Sequence, residues 1–74
     1  MGQRQSIIAQ SSLTYAYKGE GILRANGIYT EIIRLSGQQT QRGCGYGLLV
    51  SQKDLNRAVT LLQQNGAFVG EILR

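Results

Sequence analysis

The segment Arg42-Gly43-Cys44-Gly45-Tyr46-Gly47 holds the only cysteine of the 74-residue chain and three of its ten glycines. Cysteine reacts as the thiolate, and a nearby cation or a helix N-terminus lowers its pKa. Arg42, two residues before the sulfur, is the candidate cation. Gly43 and Gly45 leave the sulfur uncrowded and let backbone N–H groups turn toward an anion. An exposed thiolate in such a setting can accept a sulfur or selenium atom and pass it on. The alternative is that Cys44 fills a small apolar site in the core, as free cysteines often do. Glycines on both sides argue against that, because they make a poor core wall.

Other chemistries find no residues here. With no histidine and one cysteine, the usual zinc spacings and an internal disulfide are both excluded. No Ser/His/Asp set can form, and the four acids Glu20, Glu31, Asp54 and Glu71 show no paired-carboxylate spacing. Gly19-Glu20-Gly21 lacks the third glycine of a dinucleotide-binding turn. The glycines of residues 43–47 lead into a strand rather than a helix, so they do not form a phosphate-binding loop. No cofactor or metal is therefore expected, and the chain reads as a carrier rather than an enzyme.

The sulfur must be positioned by a small frame. Residues 4–10 read as strand one, centred on Ile7-Ile8-Ala9. Ser11 or Ser12 can cap a first helix over residues 12–26, with Ala16 and Leu23 on its apolar stripe. Gly19 and Gly21 weaken that helix unless they let it approach the sheet closely. Asn26-Gly27 supplies a left-handed cap. Residues 28–34 are β-branched and aromatic, which predicts strand two. Residues 36–43 are polar and glycine-flanked, as in a loop. Strand three runs from about Cys44 to Val50. Ser51 and Asp54 have capping-box spacing for a second helix, which buries Leu55, Ala58, Val59 and Leu62. Asn65-Gly66 ends it, and residues 67–73 form strand four.

Ile22 to Tyr29 resembles Leu61 to Phe68, so the two halves echo each other. The order βαββαβ with this repeat predicts an α+β, ferredoxin-like domain. Its four-stranded antiparallel sheet, ordered 4-1-3-2, carries both helices on one face. Strands one and three are then antiparallel neighbours. The end of strand one, the start of helix one and the start of strand three meet at one edge. Cys44 is expected there, near Ser11, Ser12 and the free N–H groups of the helix start. Ser11, Ser12 and Tyr46 are the expected surroundings of its cargo. Strand two places Ile28, Thr30 and Ile32 on one face, Tyr29 and Ile33 on the other. Strand four sets Ala67 and Val69 against Phe68 and Ile72. Two helices cover only one face, which leaves an apolar surface for a second copy or a partner.

The bulk properties agree with a small intracellular domain. Seventy-four residues make one domain of modest core, spanning residues 1–74. No run of 18 apolar residues exists, and Met1 to Gln5 lacks a signal-peptide pattern, so a cytoplasmic location is expected. The net charge of +4 comes from eight scattered basic residues rather than a block. It gives at most a weak attraction for anionic partners.

Ser12-Leu13-Thr14-Tyr15-Ala16-Tyr17-Lys18 before a helix ending in Asn26-Gly27, the Arg42–Leu48 element, and an Asp54-Leu55 helix ending in Asn65-Gly66 together resemble the Se/S carrier-like family of small domains. The resemblance covers nearly the whole chain, and its Cys-Gly element is the most specific part. It implies a persulfide or selenide carrier whose motif cysteine is Cys44, served by a donor protein and an acceptor protein.

Two other readings stay open. Arg42-Gly43-Cys44-Gly45-Tyr46 matches the strand-three motif of RNA-recognition domains, with cysteine in place of the first aromatic. A domain of this topology can also be a regulatory or assembly module, by analogy of fold alone.

Overall fold

The computed structural model describes residues 4–35 and 45–73. Its elements are β1 (Gln5–Gln10), α1 (Leu13–Ala25), β2 (Glu31–Arg34), β3 (Tyr46–Ser51), α2 (Leu55–Gln64) and β4 (Ile72–Leu73), with a 3₁₀ turn over Gln52–Asp54 before α2. The sheet order is β2-β3-β1-β4, and every pair is antiparallel. This is the ferredoxin-like α+β arrangement that the sequence predicts.

The faces follow from alternation along the strands. Ile8 of β1 and Leu48 and Val50 of β3 form one cluster with Leu23 of α1 and Leu55, Ala58 and Leu62 of α2. Both helices therefore cover the same side. Ile28 is in that cluster and Ile32 packs against it. The opposite face holds Ala9 and Leu35, with Ile7, Ile33, Phe68 and Leu73 packed around them.

Both helices stop by the same device. Gly27 and Gly66 adopt φ of +77° and +68°, a conformation that L side chains rarely take. Gly27 N donates to Arg24 O and Ile28 N to Leu23 O. Gly66 N donates to Gln63 O and Ala67 N to Leu62 O. The preceding asparagines also match: Asn26 Nδ2 donates to Ile22 O and Asn65 Nδ2 to Leu61 O, both at 2.8 Å. The internal repeat thus encodes two equivalent stops. The Arg57 guanidinium bonds Asn26 O at 3.1 Å and ties α2 to the end of α1.

Several expectations need correction. Gly19 does allow close approach, since a Cβ there would lie 2.6 Å from Leu48 Cδ1. Gly21 does not, because nothing lies within 4 Å of the corresponding point. Ser51 bonds the backbone N of Lys53 at 3.3 Å and opens the 3₁₀ turn, so α2 itself starts only at Leu55.

The regular part of β4 is only two residues long, not seven. Ala9 N donates to Glu71 O while Ala9 O accepts from Gly70 N. Gly70 and Glu71 thus oppose one residue, which is the pattern of a β-bulge. The extra residue shifts the alternation by one. Ile72 consequently packs on the helix side with Ala67 and Val69, rather than with Phe68. A Cβ on Gly70 would lie 2.5 Å from Ala9 O, so the bulge leaves no room for a side chain at residue 70.

Candidate functional site

One edge of the sheet gathers the termini of four elements. Gln10, the last residue of β1, stands opposite Tyr46, the first of β3. Ser11 and Ser12 follow directly and lead into α1. Leu35 N donates to Gly45 O at 2.9 Å, which joins the exit of β2 to the entry of β3. The described ends of the chain flanking residues 36–44 are therefore hydrogen-bonded to each other, next to the start of α1. Cys44, Arg42 and Gly43 lie outside the described residues.

The serines differ. Ser12 Oγ accepts a hydrogen bond from Tyr15 N at 3.1 Å, and Ser12 O accepts from Ala16 N. Its side chain is thus committed to capping α1. Ser11 is exposed and stands beside it. The first N–H groups of α1 have no acceptor within the helix, and the helix end carries partial positive charge. No acidic residue lies in the first turn of α1 to cancel it.

Tyr46 is half-buried, and its place in the ladder shares the helix-side phase of Leu48 and Val50. This bears on the RNA reading. The opposite, open side of β1 and β3 carries Gln5, Ile7, Ala9, Gly47, Leu49 and Ser51 by the same alternation. No aromatic ring stands among them, so the two central strands offer bases no stacking platform.

One residue at this edge escapes a reading of sequence. Gln10 is fully buried, and its amide nitrogen donates to Phe68 O at 3.2 Å. Its Oε1 has no partner. The signal was a polar residue in the apolar phase set by Ile8, two positions earlier. Phe68 itself stacks on Tyr15, with ring centroids 5.4 Å apart. This contact closes α1 against the segment before β4. Tyr15 is thus a packing residue with an accessible rim, 46% exposed, whereas Tyr17 is 60% exposed.

Among the described residues, no group of three His, Cys, Asp or Glu side chains is placed to hold a metal. Nor does any described helix have the length and apolar character needed to cross a membrane. Among the described residues, the one clear perturbation of a titratable group is distant from this edge. Tyr29 donates to the carboxylate of Glu31, and that hydrogen bond raises the tyrosine pKa above its usual value. Loss of solvation and the Glu31 charge add to the rise, while Arg24 opposes it.

No curated protein and no solved structure matches the chain significantly. A family model described as "Putative Se/S carrier protein-like" matches residues 5–74. That span takes in every strand and helix of the frame as well as the Cys44 segment, and the chain accordingly belongs to the Se/S carrier protein-like family.

Proposed function

We propose that the protein is a single-domain carrier of sulfur or selenium, with the atom held on Cys44 as a persulfide or its selenium counterpart. Membership of the Se/S carrier protein-like family over residues 5–74 carries this reading. The chain has no second cysteine and no histidine with which to do other sulfur or metal chemistry. Further support comes from the frame. Gly45, the residue after Cys44, is hydrogen-bonded to Leu35 at the edge where α1 begins.

Loading is a thiol exchange. The Cys44 thiolate attacks the outer sulfur of a donor persulfide. A new S–S bond forms on Cys44, the donor S–S bond breaks, and the donor leaves as a thiolate. Delivery reverses the roles, with an acceptor nucleophile attacking the outer atom and Cys44 leaving. No outside oxidant or reductant is consumed in either step. Arg42 and the start of α1 stabilise the thiolate that attacks and then leaves. Ser11, Ser12 and Tyr46 border the same edge and contribute polar contacts to the cargo, Ser12 through the hydroxyl proton that its cap of α1 leaves free. The partners are a donor and an acceptor protein, in a reducing cytoplasm that keeps the lone thiol free. A second copy on the open sheet face is the further expected contact.

Intact mass after incubation with a cysteine desulfurase and free cysteine tests the reading. One added sulfur, released by a thiol reductant and absent in Cys44→Ser, is expected. A desulfurase that turns over while the protein mass stays unchanged would refute it.

A further inference from the structure

The opposite end of the β1–β3 ladder carries a second feature. A shallow depression of about 310 Å³ is lined by Arg4, Ser51, Gln52 and Lys53. None of the four is acidic, and two bear full positive charges. Gln52 N donates to Arg4 O at 3.0 Å, and Gln5 pairs with Ser51, so the walls are fixed by backbone bonds. Lys53 N donates to Ser51 Oγ, which leaves the hydroxyl proton free to turn toward a ligand. Neither Arg4 nor Lys53 is in an ion pair among the described residues; the ion pair there joins Arg24 and Glu20. Asp54 follows Lys53 in sequence but is not part of the lining.

We propose that this depression binds an oxyanion of the phosphate class. A guanidinium gives planar, paired donors to such oxygens, and an ammonium adds a point charge. The serine hydroxyl and the Gln52 side-chain amide complete a mixed donor set. The site is separate from the thiol edge. Six residues of β1 lie between the two ends, roughly 17 Å at about 3.3 Å per residue. The proposal does not depend on the carrier reading and can fail while that reading stands.

The test is an amide NMR titration of the whole protein with sodium phosphate, against sodium chloride at matched ionic strength. Saturable shifts centred on Arg4 and residues 51–53, in phosphate alone, are expected. Arg4→Ala and Lys53→Ala should each weaken binding about fivefold or more, since each removes charged donors. Arg4→Gln and Lys53→Gln, with the thermal midpoint and spectrum checked, separate loss of charge from loss of fold. A phosphate monoester, ribose 5-phosphate, forms the second arm. Equal affinity identifies free phosphate as the ligand class, and tighter binding identifies a phosphorylated small molecule. Shifts that track ionic strength alone, centre on other residues, or survive both charge removals would overturn the proposal.

Discussion

At the scale of single residues, the proposed chemistry rests on Cys44 being a thiolate at working pH. A thiol of ordinary setting titrates near 8.5, and each unit below that reflects about 1.4 kcal/mol of preference for the anion. Alkylation by a small thiol reagent, followed against pH, should show a midpoint below about 8.5. Arg42→Ala should raise that midpoint modestly by removing a nearby positive charge. Cys44→Ser should abolish loading and leave the fold intact. Protection until the protein unfolds would make the thiol structural and end the carrier reading. Tyr29 gives a second titration. Its hydroxyl donates to Glu31, so deprotonation must break that bond and set two negative charges side by side. The raised native pKa means that the stabilising contact is fully present below the unfolded tyrosine value of about 10. It is lost as pH rises through the native value. Absorbance of tyrosinate against pH should show one late-titrating group, and Glu31→Gln should bring it earlier. The absence of a late component would contradict the contact. The Tyr29–Glu31 bond was not legible in the sequence, and buried Gln10 showed only as a polar residue in the apolar phase set by Ile8. Cys44, by contrast, stood out through its isolation among glycines.

At the scale of elements, helices and strand order were legible because their signals are local. Ser12, Asn26-Gly27 and Asn65-Gly66 mark three helix ends by side-chain chemistry alone, and the structure uses all three. Strand faces followed from alternation as far as β3. The prediction for residues 67–73 failed at one residue, since a bulge at Gly70-Glu71 reverses the phase of everything after it. An isolated glycine within a strand pattern is the one local hint of such a bulge. The two glycine settings make opposite predictions. Gly70→Ala drives a Cβ into the Ala9 carbonyl, a backbone atom that cannot step aside. It should cost about 1–3 kcal/mol, the usual range for overpacking. Gly21→Ala meets open space on an exposed turn of α1 and should stabilise by up to about 1 kcal/mol. Each kcal/mol moves the thermal midpoint of a domain of this size by about 4–8 °C. Calorimetry on the two variants should therefore show shifts of opposite sign. A Gly70→Ala protein that melts with the parent would remove the bulge from the account of β4.

At the scale of the molecule, the fold is two layers thick, with Cα extents of 33 × 29 × 15 Å. One layer is the sheet and the other is the helix pair on the Ile8–Leu48–Val50 side. Among the described residues no helix covers the far side of the sheet, yet Ile7, Ile33 and Leu73 sit there around Ala9 and Leu35. Leu49 belongs to the same side by register, between Ile7 and Glu31. Ile7, Ile33, Leu49 and Leu73 are only partly buried within one chain, whereas Ala9 and Leu35 are buried beneath them. A domain of this length buries a smaller share of its surface than a larger one does, and its margin of stability is correspondingly small. The cysteine count removes an internal disulfide as a staple. Covering the open face with the same face of a second copy would bury both apolar sets at once, in a self-complementary contact of two-fold symmetry. Sedimentation at high micromolar concentration should accordingly show a reversible dimer whose dissociation is favoured by dilution. Leu49→Lys puts a charge in the centre of that face and should yield monomer, with the helix signal in circular dichroism unchanged. A change on the exposed side of α1, such as Tyr17→Lys, should leave the dimer intact. A parent protein that sediments as monomer throughout the range would show that the open face does not pair with itself. A dimer indifferent to Leu49→Lys but broken by Tyr17→Lys would move the contact to the helix layer.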